Sequence, residues 1–243
     1  MKLIKLSIIA TLLLMLGCDS TDTFTSRPYI CLTFDDQHQS IFTEAYPLME
    51  QFGFAGTAFI NTAFIGANNK LTWDQIDILV NNSNWEIGGH TLHHVNLPEL
   101  NYEEAYEEIY LDWLALVERD LPHHSFALPS GHANLEQFSL ISEFYENIRT
   151  SLNLRHYAPI NRQYLGYAAF QTGYSADIIK SRIIEAIENH EDLVIIGFHS
   201  FDAAENDQIT FCEPEYFQEI LEFIAEIDLE VITLHQACEL LGN

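Results

Sequence analysis

Asp35 and Asp36 stand side by side in the stretch CLTFDDQHQS, where the apolar run Tyr29–Phe34 ends. Further along, GGHTLHH (Gly88–His94) places His90 and His94 four residues apart. On one helical turn, side chains at that spacing face the same way. Two neutral imidazoles and one carboxylate make a three-ligand set that leaves a position open for water, as in catalytic rather than structural zinc sites. Two touching carboxylates are a poor pair of free anions. A divalent cation would relieve one of them, leaving the other to take a proton from water acidified by the cation. Simpler readings stand beside this one. Asp36 could cap the following helix, and the histidines, His93 among them, could be surface or core packing. Capping, however, needs one Asp and no distant histidines.

The elements that would position these residues alternate. Strand-like runs are Tyr29–Phe34, Ala55–Ile60, Trp85–Ile87, Ser125–Leu128, Ile148–Ser151 and Leu193–Phe198, with Glu230–Ile232 near the end. Helical spacing covers Ile41–Phe52, Thr72–Val80 with Thr72 as N-cap, Asn101–Glu118, Asn134–Tyr145, Ser175–His190, Pro214–Ile227 and Leu234–Leu241. Strand followed by helix at this spacing implies a parallel sheet. Seven or so strands in one domain favour an α/β fold of the distorted (β/α)-barrel kind over an open sheet. Barrel active sites lie at the C-terminal ends of strands. Asp35-Asp36, His90, Pro129–His132 and His199 all fall at such ends, and the Gly88-Gly89 pair reads as the turn that delivers His90.

T-F-D-D followed by H-T-x-x-H resembles the polysaccharide deacetylases, the NodB-homology domain of carbohydrate esterase family 4. The likeness runs from about Tyr29 to the C-terminus. It implies that Asp36, His90 and His94 hold the metal, most simply Zn²⁺ with Co²⁺ or Ni²⁺ as alternatives, and that Asp35 is the general base. FALPSG (Phe126–Gly131) is similar to the family's third motif, in which Pro129 and Ser130 shape the groove and the Ser130 backbone N–H meets an oxyanion. The family usually carries Arg at the position of Ala127 and an aromatic at that of Ser130. That Arg pairs with the catalytic Asp, so Asp35 lacks its usual partner. LVIIGFHS (Leu193–Ser200) resembles the fifth motif, with His199 as general acid and Phe198 lining the acetyl pocket. A fourth-motif Asp commonly buttresses that His, yet no Asp or Glu occurs between Arg155 and Ser175. The run YLGYAAF (Tyr164–Phe170) reads as a sugar-stacking wall or as core, and His132 as a loop or a catalytic histidine. The implied activity is metal-dependent hydrolysis of N-acetyl (or O-acetyl) groups on a poly- or oligosaccharide. The missing Arg and Asp keep an alternative open, a metal-retaining carbohydrate-binding protein. An O-acetyl xylan-type esterase is the rival within the same chemistry.

The chain has 243 residues, with 10 Lys+Arg against 36 Asp+Glu for a net charge of −26. Such acidity argues against nucleic acid as a partner; it suits a neutral or cationic substrate and equally a saline habitat. Lys2 and Lys5 precede the apolar run Leu6–Leu16, too short to span a bilayer, and then Gly17-Cys18. This resembles a bacterial lipoprotein signal over residues 1–18 with Cys18 as the lipidated residue. Residues 19–28 then form a polar tether, and 29–243 form the catalytic domain of an exported protein anchored at the membrane, facing periplasm or exterior. Of the remaining Cys31, Cys212 and Cys238, at least one is unpaired. No Gly-rich phosphate loop or G-x-S-x-G elbow occurs.

Overall fold

The computed structural model describes residues 27–204 and 210–242. The expected signal segment, Cys18 and tether residues 19–26 lie outside the described residues. Seven parallel strands form one curled sheet: β1 (Tyr29–Phe34), β2 (Thr57–Ile60), β3 (Glu86–Gly89), β4 (Ser125–Ala127), β5 (Asn147–Arg149), β6 (Ala168–Ala169) and β7 (Leu193–Phe198), in the order β5-β4-β3-β2-β1-β7-β6. The expected barrel is realised as a half-barrel whose edges are joined by one segment. Leu165 exchanges backbone bonds with β5 (Leu165 N–H to Ile148, 2.9 Å; Thr150 N–H to Leu165, 2.7 Å), and Ala168–Ala169 pairs with β7. The YLGYAAF run therefore contains a strand, β6, which its composition does not announce.

Alternation along the central strands decides which side chains reach the site. β1 and β7 pair along their whole length, from Tyr29 opposite Leu193 to Phe34 opposite Phe198. Both are predominantly apolar and, apart from half-buried Tyr29, buried on both faces, as parallel strands are. Ile30, Leu32, Phe34, Val194, Ile196 and Phe198 face the larger core beneath the outer helices. Cys31 and Ile195 face the barrel interior with Phe59, Ala127 and Leu165. The interior is floored by the C-terminal helix through Leu234, Ala237 and Cys238. Continuing each interior row by two-residue steps leads from Cys31 through Thr33 to Asp35, and from Ile195 through Gly197 to His199.

The helices are α1 (Tyr46–Phe52), α2 (Trp73–Ser83), α3 (Tyr102–Val117), α4 (Leu135–Ile141), α5 (Ala176–Glu188), α6 (Pro214–Glu226) and α7 (Leu234–Leu241). Thr72 caps α2 as expected, in a reciprocal arrangement with Gln75; Asn101, Asn134 and Thr233 do the same for α3, α4 and α7. The helical spacing at Ile41–Phe52 resolves into a wide π-helical turn, Ile41–Ala45, leading into α1. Cys31, Cys212 and Cys238 are all free and buried. Among the described residues no helix is long and apolar enough to cross a membrane.

Candidate metal centre

Past Phe34 the chain leaves the sheet sharply: the Asp35 amide still donates to Phe198 O (2.9 Å), but Asp36 and Gln37 take positive φ (67° and 41°). The kink turns Asp36 away from Asp35. Lys70 steadies it by donating to the Asp36 carbonyl at 2.8 Å. The Asp pair is thus a strand end, and no helix is capped by it: α1 begins later and its N-cap, Ala45, has no side-chain cap bond.

Gly88 and Gly89 lie within β3, correcting the expected Gly-Gly turn. A Cβ on Gly88 would sit 2.6 Å from Ser125 O and 2.7 Å from the Phe59 ring, and one on Gly89 only 2.1 Å from the Tyr145 hydroxyl. Neither position has room for a side chain. The helical turn expected for His90–His94 is also absent. Thr91 and His94 adopt left-handed φ (64° and 55°), and this bend brings the two rings to 5.0 Å. His93 is turned outward onto Glu108, Nδ1 lying 2.8 Å from Oε1.

His94 Nε2 lies 3.2 Å and His90 Nε2 3.5 Å from Asp36 Oδ1. One ligand atom from each of the three residues lies within 4.8 Å of the other two. His90 Nδ1 is 2.7 Å from the Ala127 carbonyl, which fixes Nδ1 as the donor and leaves the Nε2 lone pair free. Asp36 Oδ1 is buried with no hydrogen-bond partner among the described residues. An orphaned carboxylate oxygen facing two bare imidazole nitrogens, at separations near the ~3.4 Å edge of a tetrahedron with ~2.1 Å bonds, fits a divalent cation. Burial raises the Asp36 carboxyl, but His90, then His199 and His94, outweigh it and hold it well below the usual range. His94 is lowered by burial and by His90.

Asp35 is 3% exposed. Both of its oxygens lie 2.6 Å from Nη2 of Arg149, itself 2% exposed. Burial pushes this carboxyl up, yet Arg149, then His199 and His90, bring it below its ordinary value. The guanidinium carbon lies 3.9 Å over the Tyr167 ring and 4.9 Å over Phe59. Ala127 and Arg149 are direct Cα partners across β4 and β5. The arginine missing at Ala127 is therefore supplied from the neighbouring strand at the same level. An arginine inside the strand-like stretch Ile148–Ser151 was the signal, but the register that aims it at Asp35 is written nowhere in the local sequence.

His199 Nε2 lies 3.7 Å from Asp35 Oδ2, while its Nδ1 is buried without a partner among the described residues. No carboxylate buttresses it there. Ser130 (φ 54°) and Gly131 (φ 74°) turn left-handed and, with Asp35, Asp36, Arg149 and His199, border a cleft of about 310 Å³. Pro129 is buried behind them. Phe198 does not line this cleft. It falls on the outer row of β7 and packs against Phe34 (5.8 Å) and Phe217 (5.0 Å), so its expected place at an acetyl pocket is corrected by simple alternation. His132 is exposed outside the cleft.

Two supports escaped the sequence reading. Asp112 of α3 accepts from the His90 amide (3.0 Å) and from the Thr62 amide and hydroxyl (3.0 and 2.7 Å). Asn61 donates from its side chain to the carbonyls of His90 and Thr91. Together they pin the strand end that carries His90.

A family model described as polysaccharide deacetylase matches residues 23–143. The Bacillus subtilis (strain 168) protein YxkH, whose name places it provisionally among the polysaccharide deacetylases, is 27% identical over 88 residues, 36% of this chain and 31% of its own length. The match thus spans less than a third of that relative. The Xyl-CE4 domain of a multidomain xylanase from the hindgut metagenome of Trinervitermes trinervoides superposes with a TM-score of 0.63 at 17% identity, covering 88% of this chain and 90% of that one. A family 4 carbohydrate esterase from Streptomyces lividans, solved with acetate, gives 0.59 at 16% identity over 84% and 91%. The Bacillus anthracis protein BA3943, described as a CE4 family pseudoenzyme, gives 0.61 at 13% identity over 88% and 66%. At these identities the likeness is one of fold, and it is the family model that spans the Asp pair and both converging histidines. The chain belongs to the polysaccharide deacetylase family.

Proposed function

We propose that this protein is a metal-dependent hydrolase that removes acetyl groups from a poly- or oligosaccharide, with N-acetyl sugars the leading substrates. The observation that carries the reading is the convergence of Asp36, His90 and His94 beside a second buried carboxylate already paired with arginine. Packed histidines would require neither feature. When bound, a divalent cation (Zn²⁺, or Co²⁺ or Ni²⁺) supplies Lewis acidity that acidifies water and polarises a carbonyl.

The chain's own residues do the rest. Asp35, ionised and held in one orientation by Arg149, accepts the proton that water releases as its oxygen attacks the acetyl carbon. The left-handed turn at Ser130 supports a role for its backbone N–H in receiving the oxyanion. His199 donates a proton to the departing nitrogen as the C–N bond breaks, giving acetate and a free amine; from an O-acetyl group the departing atom is oxygen. Acetate release from N-acetylglucosamine oligomers and acetylated xylan, measured with and without chelator, tests this. The expected result is release that stops on chelation and returns with added zinc.

One observation favours a second reading. His199 Nδ1 has no carboxylate partner, so the general acid lacks its expected support. Glycan binding without metal-dependent acetate from any substrate would make this a carbohydrate-binding protein. The proposal extends to location: the N-terminal segment supports export and lipid anchoring at Cys18. Movement of a Cys18→Ser variant from the membrane to the soluble fraction is the expected outcome, and unchanged fractionation would contradict it.

A further inference from the structure

A second set of metal-ligating side chains converges at the opposite end of the sheet. His124 precedes β4, Glu146 precedes β5 and His235 lies in the first turn of α7. One ligand atom from each lies within 4.8 Å of the other two. Because every strand is parallel, these N-terminal strand ends are separated from the catalytic cleft by the length of the barrel. We propose that His124, Glu146 and His235 form a second divalent-metal site, for zinc, nickel or copper, that ties the C-terminal helix to the barrel floor.

The donor set suits such ions: two imidazoles and a carboxylate. Burial and the neighbouring His124 hold His235 below the ordinary imidazole value, which keeps a lone pair available. Glu146 is held below the usual carboxyl range by its bond to His124 (Nδ1 to Oε1, 3.0 Å) and so is ionised. Arg162, the cation at this end, lies 3.6 Å from Glu146 and 2.7 Å from Glu239. Two carboxylates against one guanidinium leave the patch net negative before any metal arrives.

The two rings now lie face to face, centroids 3.8 Å apart and 10° from parallel. Parallel rings cannot both aim an in-plane lone pair at one cation, so one must turn. His235 is the anchored partner, its amide bonded to Glu86 (2.8 Å) and its Nδ1 3.4 Å from Asn147. His124, with 38% of its side chain exposed, is the ring that turns out of the stack. The ligands come from three segments far apart in sequence, so a bound ion cross-links them and stabilises the fold by mass action.

The test titrates zinc alone into chelator-stripped full-length protein, read by calorimetry and native mass spectrometry. Two zinc ions per chain are expected. His235→Ala and Glu146→Gln should each remove one, leaving the equivalent at Asp36, His90 and His94 and any acetate release intact. Zinc should still raise the melting temperature of His94→Ala, but not that of His94→Ala/His235→Ala. A single zinc in the wild type, or full occupancy in both His235→Ala and Glu146→Gln, would overturn the site.

Discussion

Asp35 and Asp36 are neighbours with opposite duties, and the difference lies in what each faces. Asp36 meets two imidazole nitrogens, whereas Asp35 meets a guanidinium. Asp35→Asn should therefore keep the metal while losing about 10²–10⁴-fold in kcat, the usual contribution of a general base; His94→Ala should lose metal and activity together. Full activity in Asp35→Asn would remove it from the base role. Arg149→Met makes a sharper prediction. Burial raises the Asp35 carboxyl and the guanidinium lowers it, so without Arg149 the acidic limb of kcat/KM should move upward. Because the folded carboxyl lies below its unfolded value, Asp35 contributes stability above the ordinary carboxylate pKa, lost as pH falls through the folded one. Removing one partner of so buried a pair should also cost about 3–5 kcal/mol at neutral pH, seen in urea unfolding. An unmoved limb would mean that Arg149 does not set the charge of Asp35.

Strands decide where these groups point. The interior rows Cys31–Thr33–Asp35 and Ile195–Gly197–His199 deliver base and acid to one mouth, and β3 delivers His90 through two glycines with no room for a Cβ. Gly89→Ala would drive a methyl into Tyr145 and toward Asp112, the residue that holds the His90 amide. It should cost about 1–3 kcal/mol as overpacking and weaken zinc binding; an unchanged melting temperature and metal affinity would contradict this. Here the limits of local sequence are visible. β1 and β7 were legible to the residue because each is a continuous apolar run, and the two acidic and imidazole motifs because residue type and order identified them. Arg149 was not, since it acts through the register of β4 against β5. The two-residue β6 was not, since Ala168–Ala169 has no periodicity to read. The His90–His94 spacing suggested a helix, but two left-handed residues achieve the same convergence.

At the scale of the whole chain, a net charge of −26 pushes the folded surface apart. Four of its basic groups are engaged in ion pairs: Arg155 and Arg182 with Glu191, Lys180 with Glu219, Arg162 with Glu239. Raising salt from about 0.01 M to about 1 M shortens the Debye length from ~30 to ~3 Å, so the melting temperature should climb over that range. A flat or falling curve would show that self-repulsion is not what limits stability. The most direct test of the account is zinc content measured alongside acetate release for the wild type and for Asp36→Ala. The account predicts one fewer tightly bound zinc in the variant, with acetate release abolished in step. Equal zinc in both proteins, with release intact, would contradict it.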